Sequence, residues 1–146
     1  MSQAPSSAVV VDTMVMSALV NSARDPGLAG EYRSLVAGRP VLISFVTVTE
    51  LRYGALKAGW GELRRRALER DLSRIVVVQP DDHLMQVCAN LRSDCERAGL
   101  ALGQKVHEAD RWIAATAIRL GLELVSDDRV FRQVVGLAIS ARPGTS

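Results

Sequence analysis

The sequence predicts a three-layer α/β/α protein, in which a central, mostly parallel sheet of five strands lies between two layers of helices. Short apolar runs alternate along the chain with longer segments of helical periodicity. The short runs are apolar at nearly every position, as is typical of parallel strands that are buried on both faces. This alternation favours right-handed crossovers within one sheet.

Each expected element follows from its own segment of the sequence. Five apolar runs are the expected strands: Val9–Val11, Val41–Ser44, Ile75–Val78, Leu122–Val125 and, most weakly, Leu137–Ile139. Seven segments are the expected helices, at about 14–22, 27–37, 47–58, 61–73, 81–98, 106–120 and 128–135. Together they predict one domain over residues 8–140, with disordered tails at residues 1–7 and 141–146.

Composition limits the function only loosely. The chain has 146 residues, enough for one domain with a substantial core, and 48% of them are hydrophobic. The formal net charge of +2 comes from 18 basic and 16 acidic residues, so charge alone does not indicate nucleic-acid binding. Only two of the basic residues are Lys; the others are Arg, which suits bidentate phosphate contacts but also reflects composition bias.

The two cysteines and the start of the chain predict a cytoplasmic protein. Cys88 and Cys95 are seven residues apart on one expected helix, a separation of about 10 Å that is too long for a disulfide. Neither has the spacing of a zinc ligand. The first residues, MSQAPSS, lack a basic and apolar export signal, and no apolar run is long enough to span a membrane.

Four carboxylates stand out, and three of them also have a purely structural explanation. Asp12 ends the first strand and could simply begin a turn. Glu50 completes the capping-box pattern Thr47-Val48-Thr49-Glu50. Asp128 follows the fourth strand and could complement a helix dipole. Asp110 is harder to explain in this way, because it lies on the inward stripe of its helix, where an unpaired charge is costly.

Considered together, the four acids favour a metal site. Three of them follow the carboxyl ends of strands, where open α/β sheets bind their ligands. Carboxylates that cluster without His or Cys suit hard cations such as Mg²⁺ or Mn²⁺. Such ions bind phosphates and assist the hydrolysis of phosphodiesters. We therefore expect metal-assisted phosphodiester hydrolysis.

The same segments resemble a known family. VVVDT, VTELRYG, DRWIAATAI and VSDDRVF are similar, in order, to the four acidic signatures of the PIN-domain ribonucleases. The likeness runs from about residue 9 to 140 and is greatest to the toxins of bacterial VapBC-type toxin–antitoxin pairs. It implies a PIN-like fold and a Mg²⁺- or Mn²⁺-dependent endoribonuclease. The catalytic, metal-binding residues that it implies are Asp12, Glu50, Asp110 and Asp128, with Thr13 and Ser126 as polar neighbours.

The resemblance also implies roles for these carboxylates. Asp12 and Asp110 would hold the principal ion, Asp128 would complete its shell, and Glu50 would bind a second ion or position the attacking water. The chain departs from the family pattern at Val130, where a second acid is common. Whether the neighbouring Asp127 or the spare acid Glu108 assists metal binding stays open.

By resemblance, the substrate is RNA of the tRNA or rRNA class, and the protein partners are a cognate VapB-type antitoxin and a second copy of the chain in a homodimer. Four side chains are candidate contacts for RNA phosphates: Arg111, Arg129, Arg64 and Arg65. A basic run on a helix is, alternatively, only its solvated face. Five apolar residues form either an exposed antitoxin groove or part of the core: Met14, Met16, Leu51, Tyr53 and Leu56.

Other function classes explain the sequence less well. A PIN fold kept only for binding RNA or protein is the main alternative, and the four intact acids argue against it. A phosphotransfer receiver domain needs an additional acidic pair and a late Lys, whereas this chain has Lys only at 57 and 105. An aspartate-nucleophile phosphatase needs a D-x-D motif, but Thr13 and Met14 follow Asp12.

Overall fold

A computed structural model describes residues 7–144, in which five strands form one parallel sheet. The strands are β1 (Val9–Val11), β2 (Val41–Ser44), β3 (Val76–Val78), β4 (Glu123–Val125) and β5 (Ile139–Ser140). Their order across the sheet is β3-β2-β1-β4-β5, and each neighbouring pair is parallel. The expected parallel sheet is therefore confirmed. The chain order reverses between β1 and β4, which makes their carboxyl ends the switch point where such sheets bind ligands.

Helices cover both faces of the sheet. They are α1 (Thr13–Val20), α2 (Pro26–Val36), α3 (Phe45–Lys57), α4 (Glu62–Ser73), α5 (Asp82–Ala98) and α6 (Glu108–Leu120). Alternate residues of β1 belong to different cores, because successive side chains of a strand point to opposite faces. Val9 and Val11 pack with residues of α1–α4, and Val10 packs with residues of α5 and α6. The three-layer architecture expected from the sequence is confirmed.

The first turn of α3 differs from the expected capping box. The helix begins at Phe45, and its N-cap is Ser44, whose Oγ accepts a hydrogen bond from the Val46 amide at 3.3 Å. Because β2 runs directly into α3, Thr47 lies inside the helix and is completely buried. The capping-box explanation of Glu50 is therefore wrong, and its carboxylate is not needed to cap α3.

The prediction of a last helix at 128–135 is also wrong. The chain forms only a short 3₁₀ turn over Arg129–Phe131, for which Asp128 is the N-cap. Gln133 then adopts a left-handed backbone conformation with φ of 63°. A right-handed helix cannot continue through that conformation. The chain reaches β5 instead, which lies slightly later than the sequence predicted.

The ends of the chain are partly outside the described residues. Residues 1–6 and 145–146 of the expected tails lie there. Residues 141–144 are described, and Arg142 does not behave as part of a disordered tail. Its guanidinium forms ion pairs with Glu31, at 2.9 Å, and with Asp127. Arg142 is therefore packed against the folded part of the chain.

Within residues 7–144, no helix combines the length and apolar character needed to cross a bilayer. Cys88 and Cys95 are both buried and unbridged on α5. Burial raises the pKa of each thiol. The expectation that they do not form a disulfide is confirmed.

Candidate active site

Asp12 lies at the centre of the candidate site, at the carboxyl end of β1. It is the N-cap of α1, and its Oδ1 accepts a hydrogen bond from the Val15 amide at 2.8 Å. Its Oδ2 accepts a hydrogen bond from the hydroxyl of Ser126, the residue that directly follows the neighbouring strand β4. Only 5% of Asp12 is exposed. Both carboxylate oxygens are therefore fixed by the strand–helix junctions at the switch point.

The charge on Asp12 is only partly compensated. The pKa of Asp12 is raised from 3.8 to about 6, chiefly by burial and also by the negative charges of Asp128 and Asp110, against the lowering by its two hydrogen bonds. The two other acids thus lie close enough to act on Asp12. A site with these properties attracts a cation.

Asp110 reaches the site from the first turn of α6. Its Oδ2 is 3.1 Å from Nδ1 of His107, which lies one helical turn earlier, and 30% of the Asp110 side chain is exposed. The sequence analysis predicted a carboxylate facing inward here, and the structure agrees. The contact between His107 and Asp110 is one that the sequence analysis did not predict.

Asp128 belongs to the same cluster through the loop that follows β4. Its Oδ1 accepts a hydrogen bond from the Val130 amide at 2.9 Å, so it also caps the 3₁₀ turn. Its own amide donates to Ser126 Oγ at 3.0 Å. Ser126 therefore joins Asp12 and Asp128 with one hydroxyl, which gives this predicted polar neighbour a defined position.

The side chain of Asp127 is occupied elsewhere. It accepts hydrogen bonds from the Tyr32 hydroxyl at 2.7 Å, from the Arg142 amide at 2.9 Å and from the Arg142 guanidinium. Burial raises the pKa of Asp127, but these hydrogen bonds outweigh it, and the pKa lies below its ordinary value. The structure thus separates the adjacent acids: Asp128 is near Asp12, and Asp127 ties the loop to α2 and the chain end.

Glu50 is connected to the site through Thr13. The Thr13 hydroxyl donates to Glu50 Oε1 at 2.6 Å and lies 3.0 Å from the hydroxyl of the buried Thr47. Glu50 is exposed, and its contact is with Thr13, the residue that follows Asp12 in the chain. It therefore lies at the edge of the acidic cluster, on the side of α3. Thr47 is a further polar neighbour that the sequence analysis assigned to a cap.

The acids fit a divalent cation in charge and in donor chemistry. Carboxylate oxygens are the ligands that Mg²⁺ and Mn²⁺ prefer, and a buried Asp12 beside Asp110 and Asp128 carries negative charge that a cation would neutralise. Across residues 7–144, however, the structure holds no ready-made group of three or more His, Cys, Asp or Glu side chains that could bind an ion as they stand. Glu108 is exposed, and its negative charge helps to raise the pKa of the Cys88 thiol.

The expected arginine contacts have different outcomes. Arg111 is only 2% exposed, and its guanidinium donates to the carbonyls of Leu102 and Gln104. The phosphate contact expected of Arg111 is therefore not supported, because the guanidinium braces the loop before α6. Arg64, Arg65 and Arg129 are exposed.

The expected partner groove is partly buried. Met16 and Leu51 belong to the core, being 3% and 8% exposed. Met14, Tyr53 and Leu56 are 70%, 63% and 61% exposed. These three exposed apolar side chains lie on α1 and α3, the helices that also carry Thr13 and Glu50. The two readings left open by the sequence are thus each right for part of the set.

Some of the contacts that the sequence analysis did not predict could have been found from the sequence, and others could not. His107 is three positions before Asp110, and residues at that spacing on a helix are neighbours, so the pair was detectable. Tyr32 meets Asp127 across 95 positions, and Arg142 meets Glu31 across 111. A single sequence carries no signal for such pairs.

Comparisons with known proteins agree with this fold. The sequence model of the PIN domain family matches residues 9–137. Ribonuclease VapC2 of Haemophilus influenzae is 33% identical over 96 residues, which cover 65% of this chain and 70% of that protein. A chain in the crystal structure of DNA-bound VapBC from Salmonella typhimurium is 26% identical, with a TM-score of 0.71 and coverage of 93% of this chain and 98% of that one.

A second solved structure supports the fold alone. A chain of VapBC2 from Rickettsia felis, solved with a DNA fragment from its promoter, is 22% identical with a TM-score of 0.74. The likeness covers 92% of this chain and 98% of that one. The fold of this chain is therefore one that these proteins share.

Proposed function

The chain belongs to the PIN domain family, and from this premise we propose that it is a divalent-metal-dependent endoribonuclease that acts as the toxin of a toxin–antitoxin pair. One observation carries the proposal: Asp12, buried at the switch point, has its pKa raised in part by the charges of Asp110 and Asp128. Three carboxylates thus meet where the fold binds ligands. The similarity to a protein named a ribonuclease supports RNA as the substrate.

The residues that would hold the ion are Asp12, Asp110 and Asp128, with Glu50 at a second position. A bound divalent ion supplies a water of lowered pKa and positive charge beside the scissile phosphate. Between Mg²⁺ and Mn²⁺ the oxygen ligands make no distinction. Asp127 is outside this set because Tyr32 and Arg142 already occupy its carboxylate.

The other side chains hold this set in place. Ser126 donates to Asp12 and accepts from the Asp128 amide, so it fixes the distance between the two loops. Thr13 orients Glu50 by donating to its Oε1, and this leaves Glu50 placed to accept a proton from the attacking water. Within the described residues we find no Ser–His–Asp arrangement that would supply a side-chain nucleophile, and hydrolysis by water needs none.

The test is cleavage of total cellular RNA by the purified protein with Mg²⁺ or Mn²⁺. We expect discrete fragments that disappear with chelator and with Asp110→Asn, which should lose at least about 100-fold in rate because metal charge stabilisation is worth several kcal/mol. Glu108→Gln is the matched control, since it removes a carboxylate of the same helix whose charge acts on Cys88. It should cleave like the unaltered protein.

Two outcomes would count against the proposal. Intact RNA under every metal condition would favour a catalytically inactive PIN module that binds RNA or protein. Cleavage that survives Asp110→Asn, or that Glu108→Gln abolishes equally, would move the active site away from the Asp12 cluster.

We also propose the partners of this site. The similar structures from Salmonella typhimurium and Rickettsia felis are VapBC complexes, which supports a VapB-type antitoxin as the partner of this chain. The exposed apolar side chains of Met14, Tyr53 and Leu56 are our proposed contact for it, because they lie on the helices that also carry Thr13 and Glu50. A homodimer, a tRNA or rRNA substrate and action in the cytoplasm complete the proposal.

A further inference from the structure

A groove of about 770 Å³ runs from the candidate site between α1 and α3 to the start of α4. At one end it is lined by Thr13, next to Asp12, and by Glu50. At the other end it is lined by Trp60, Arg64 and Arg24. The groove is therefore continuous with the acidic cluster but extends well beyond the residues that would hold an ion.

The far end of the groove carries positive charge. Arg24 and Arg64 are exposed, and neither forms an ion pair with a carboxylate of the described chain. Arg52 and Arg66 nearby are, by contrast, paired with Glu69 and Glu62. Guanidinium groups without carboxylate partners are available to phosphates, which they bind bidentately.

Arg64 is also held in a defined position. Its guanidinium carbon lies 4.0 Å from the centroid of the Trp60 ring. This cation–π contact restrains the long side chain, so less entropy is lost when it binds a ligand. A guanidinium plane is a surface on which an unpaired RNA base stacks. The Trp60–Arg64 pair thus provides both a stacking surface and a charge, although aromatic residues are scarce in this chain.

We propose that this groove is a subsite for single-stranded RNA that flanks the scissile phosphate. The inference rests on the proposed endoribonuclease function, and it assigns contacts for the strand beyond the cleaved bond. Arg24 and Arg64 bind phosphates, and the Trp60–Arg64 pair stacks one base. Single-stranded RNA is preferred to a duplex because a base can stack on Arg64 only when it is unpaired.

The chain offers a steric test of the groove. Gly54 of α3 lines it, and a Cβ built there would meet nothing within 4 Å. Gly54→Leu therefore fills the groove without a clash at Cβ. Gly30 of α2 has equally open surroundings and does not line the groove, so Gly30→Leu is the matched control. Circular dichroism and thermal unfolding would establish that both variants fold.

Binding is measured by fluorescence anisotropy with a labelled single-stranded RNA of mixed sequence, on protein that carries Asp110→Asn to prevent cleavage. We expect Gly54→Leu to weaken binding at least tenfold and Gly30→Leu to leave it unchanged. Arg24→Gln and Arg64→Gln should each reduce the slope of log K against log salt by about 0.7, the value for one phosphate of a single strand. Arg33→Gln, an exposed arginine of α2 away from the groove, is the charge control.

A second readout reports on Trp60 itself. Trp112 packs edge-on against Phe45, and Trp112→Phe would leave Trp60 as the only tryptophan. RNA binding should then change the emission of Trp60 at the same concentrations that change the anisotropy. Emission that stays constant while the RNA binds would overturn the stacking contact.

The results separate this inference from the proposed function. If the unaltered protein cleaves RNA but all groove variants bind RNA and cleave it normally, the subsite is overturned and the nuclease stands. If neither cleavage nor RNA binding is found for any protein, the proposed function itself fails. If Gly54→Leu loses only the binding of the antitoxin, the groove is a protein-docking site and the RNA assignment is wrong.

Discussion

Asp12 carries a carboxylate into the interior at the end of β1, where 5% of the residue is exposed. Two hydrogen bonds stabilise its charged form, yet burial and the charges of Asp128 and Asp110 raise its pKa to about 6. Ionisation of Asp12 at neutral pH therefore lowers the free energy of unfolding of the metal-free protein. Such local instability is expected of a side chain whose position serves binding more than folding.

This raised pKa predicts a pH-dependent stability. Asp12 ionises near pH 3.8 in the unfolded chain but near pH 6 in the folded protein. The contribution of its protonated side chain to the free energy of unfolding is therefore complete below about pH 4 and is lost as the pH rises through 6. Asp12→Asn is neutral at every pH and lacks this loss. In chelator, we expect the unfolding free energy of the variant relative to the unaltered protein to rise by about 2 kcal/mol between pH 4.5 and 7.5.

Urea unfolding at the two pH values measures this difference. Comparison of the two proteins at each pH cancels the titration of groups that do not interact with Asp12. A difference in unfolding free energy that is the same at both pH values would show that Asp12 ionises normally in the fold.

The sequence was informative about single residues only in part. The run VVVDT and the inward stripe of α6 located Asp12 and Asp110 because strand ends and helical periodicity are local signals. The neighbours Asp127 and Asp128 could not be told apart, because their difference depends on Tyr32 and Arg142, which are distant in the chain. Arg111 was predicted to be a phosphate contact for a different reason: its partners are the carbonyls of Leu102 and Gln104, and a sequence does not show where backbone carbonyls point.

At the scale of elements, one close approach fixes how the chain enters α6. The 3₁₀ turn Ala101–Gly103 packs against the end of α5, and Gly103 is buried. A Cβ on Gly103 would lie 2.7 Å from the Glu96 amide nitrogen and 3.0 Å from the Cys95 carbonyl carbon. Both are backbone atoms, so a side chain here must displace a helix.

Gly103→Ala should therefore destabilise the protein by about 1–3 kcal/mol, the usual cost of overpacking. The control is Gly30→Ala in α2, where a Cβ meets nothing within 4 Å. That variant should gain about 0.5–1 kcal/mol, because Ala is favoured over Gly inside a helix. Urea unfolding of both variants checks the signs, and equal effects would contradict the contact between the turn and α5.

Elements were predictable where their signal was periodic. The long helices α5 and α6 lie within a few residues of the prediction, since each has a clear apolar stripe. The start of α3 and the segment 128–135 were misjudged because caps and a left-handed Gln133 decide them. Where such helices and turns begin depends on which backbone N–H and C=O groups still lack hydrogen-bond partners after the neighbouring strands have formed.

At the scale of the molecule, the strand order is what assembles the site. Because β1 and β4 are neighbours and parallel, the residues that follow them emerge side by side. Helix α6 packs on β1 and β2, and its first turn brings Asp110 to the same edge. The sequence predicted a parallel sheet but not this order, which results from long-range packing. Arg142 then ties the end of the described chain to both α2 and the loop after β4.

A cation that binds this site should stabilise the whole fold. Binding to the folded state alone contributes RT ln(1 + [L]/Kd), which is about 2.7 kcal/mol at 100 times Kd. For a chain of this size, that corresponds to a rise in Tm of roughly 5–10 °C. The two adjacent acids after β4 should separate binding from stability, because Asp128 acts on Asp12 while Asp127 holds Tyr32 and Arg142.

We therefore expect Mn²⁺ to raise the Tm of the unaltered protein and of Asp127→Asn, but not that of Asp128→Asn. Asp127→Asn should begin from a lower Tm, since it weakens hydrogen bonds to a charged group that are each worth about 1.5–3 kcal/mol. Asp128→Asn should begin near the unaltered value, because its exposed side chain mainly caps a short turn. Thermal unfolding with Mn²⁺ and with chelator measures both effects. The opposite pattern, with the rise lost in Asp127→Asn and kept in Asp128→Asn, would reassign the ligand and require the Tyr32–Arg142 network to open when the ion binds.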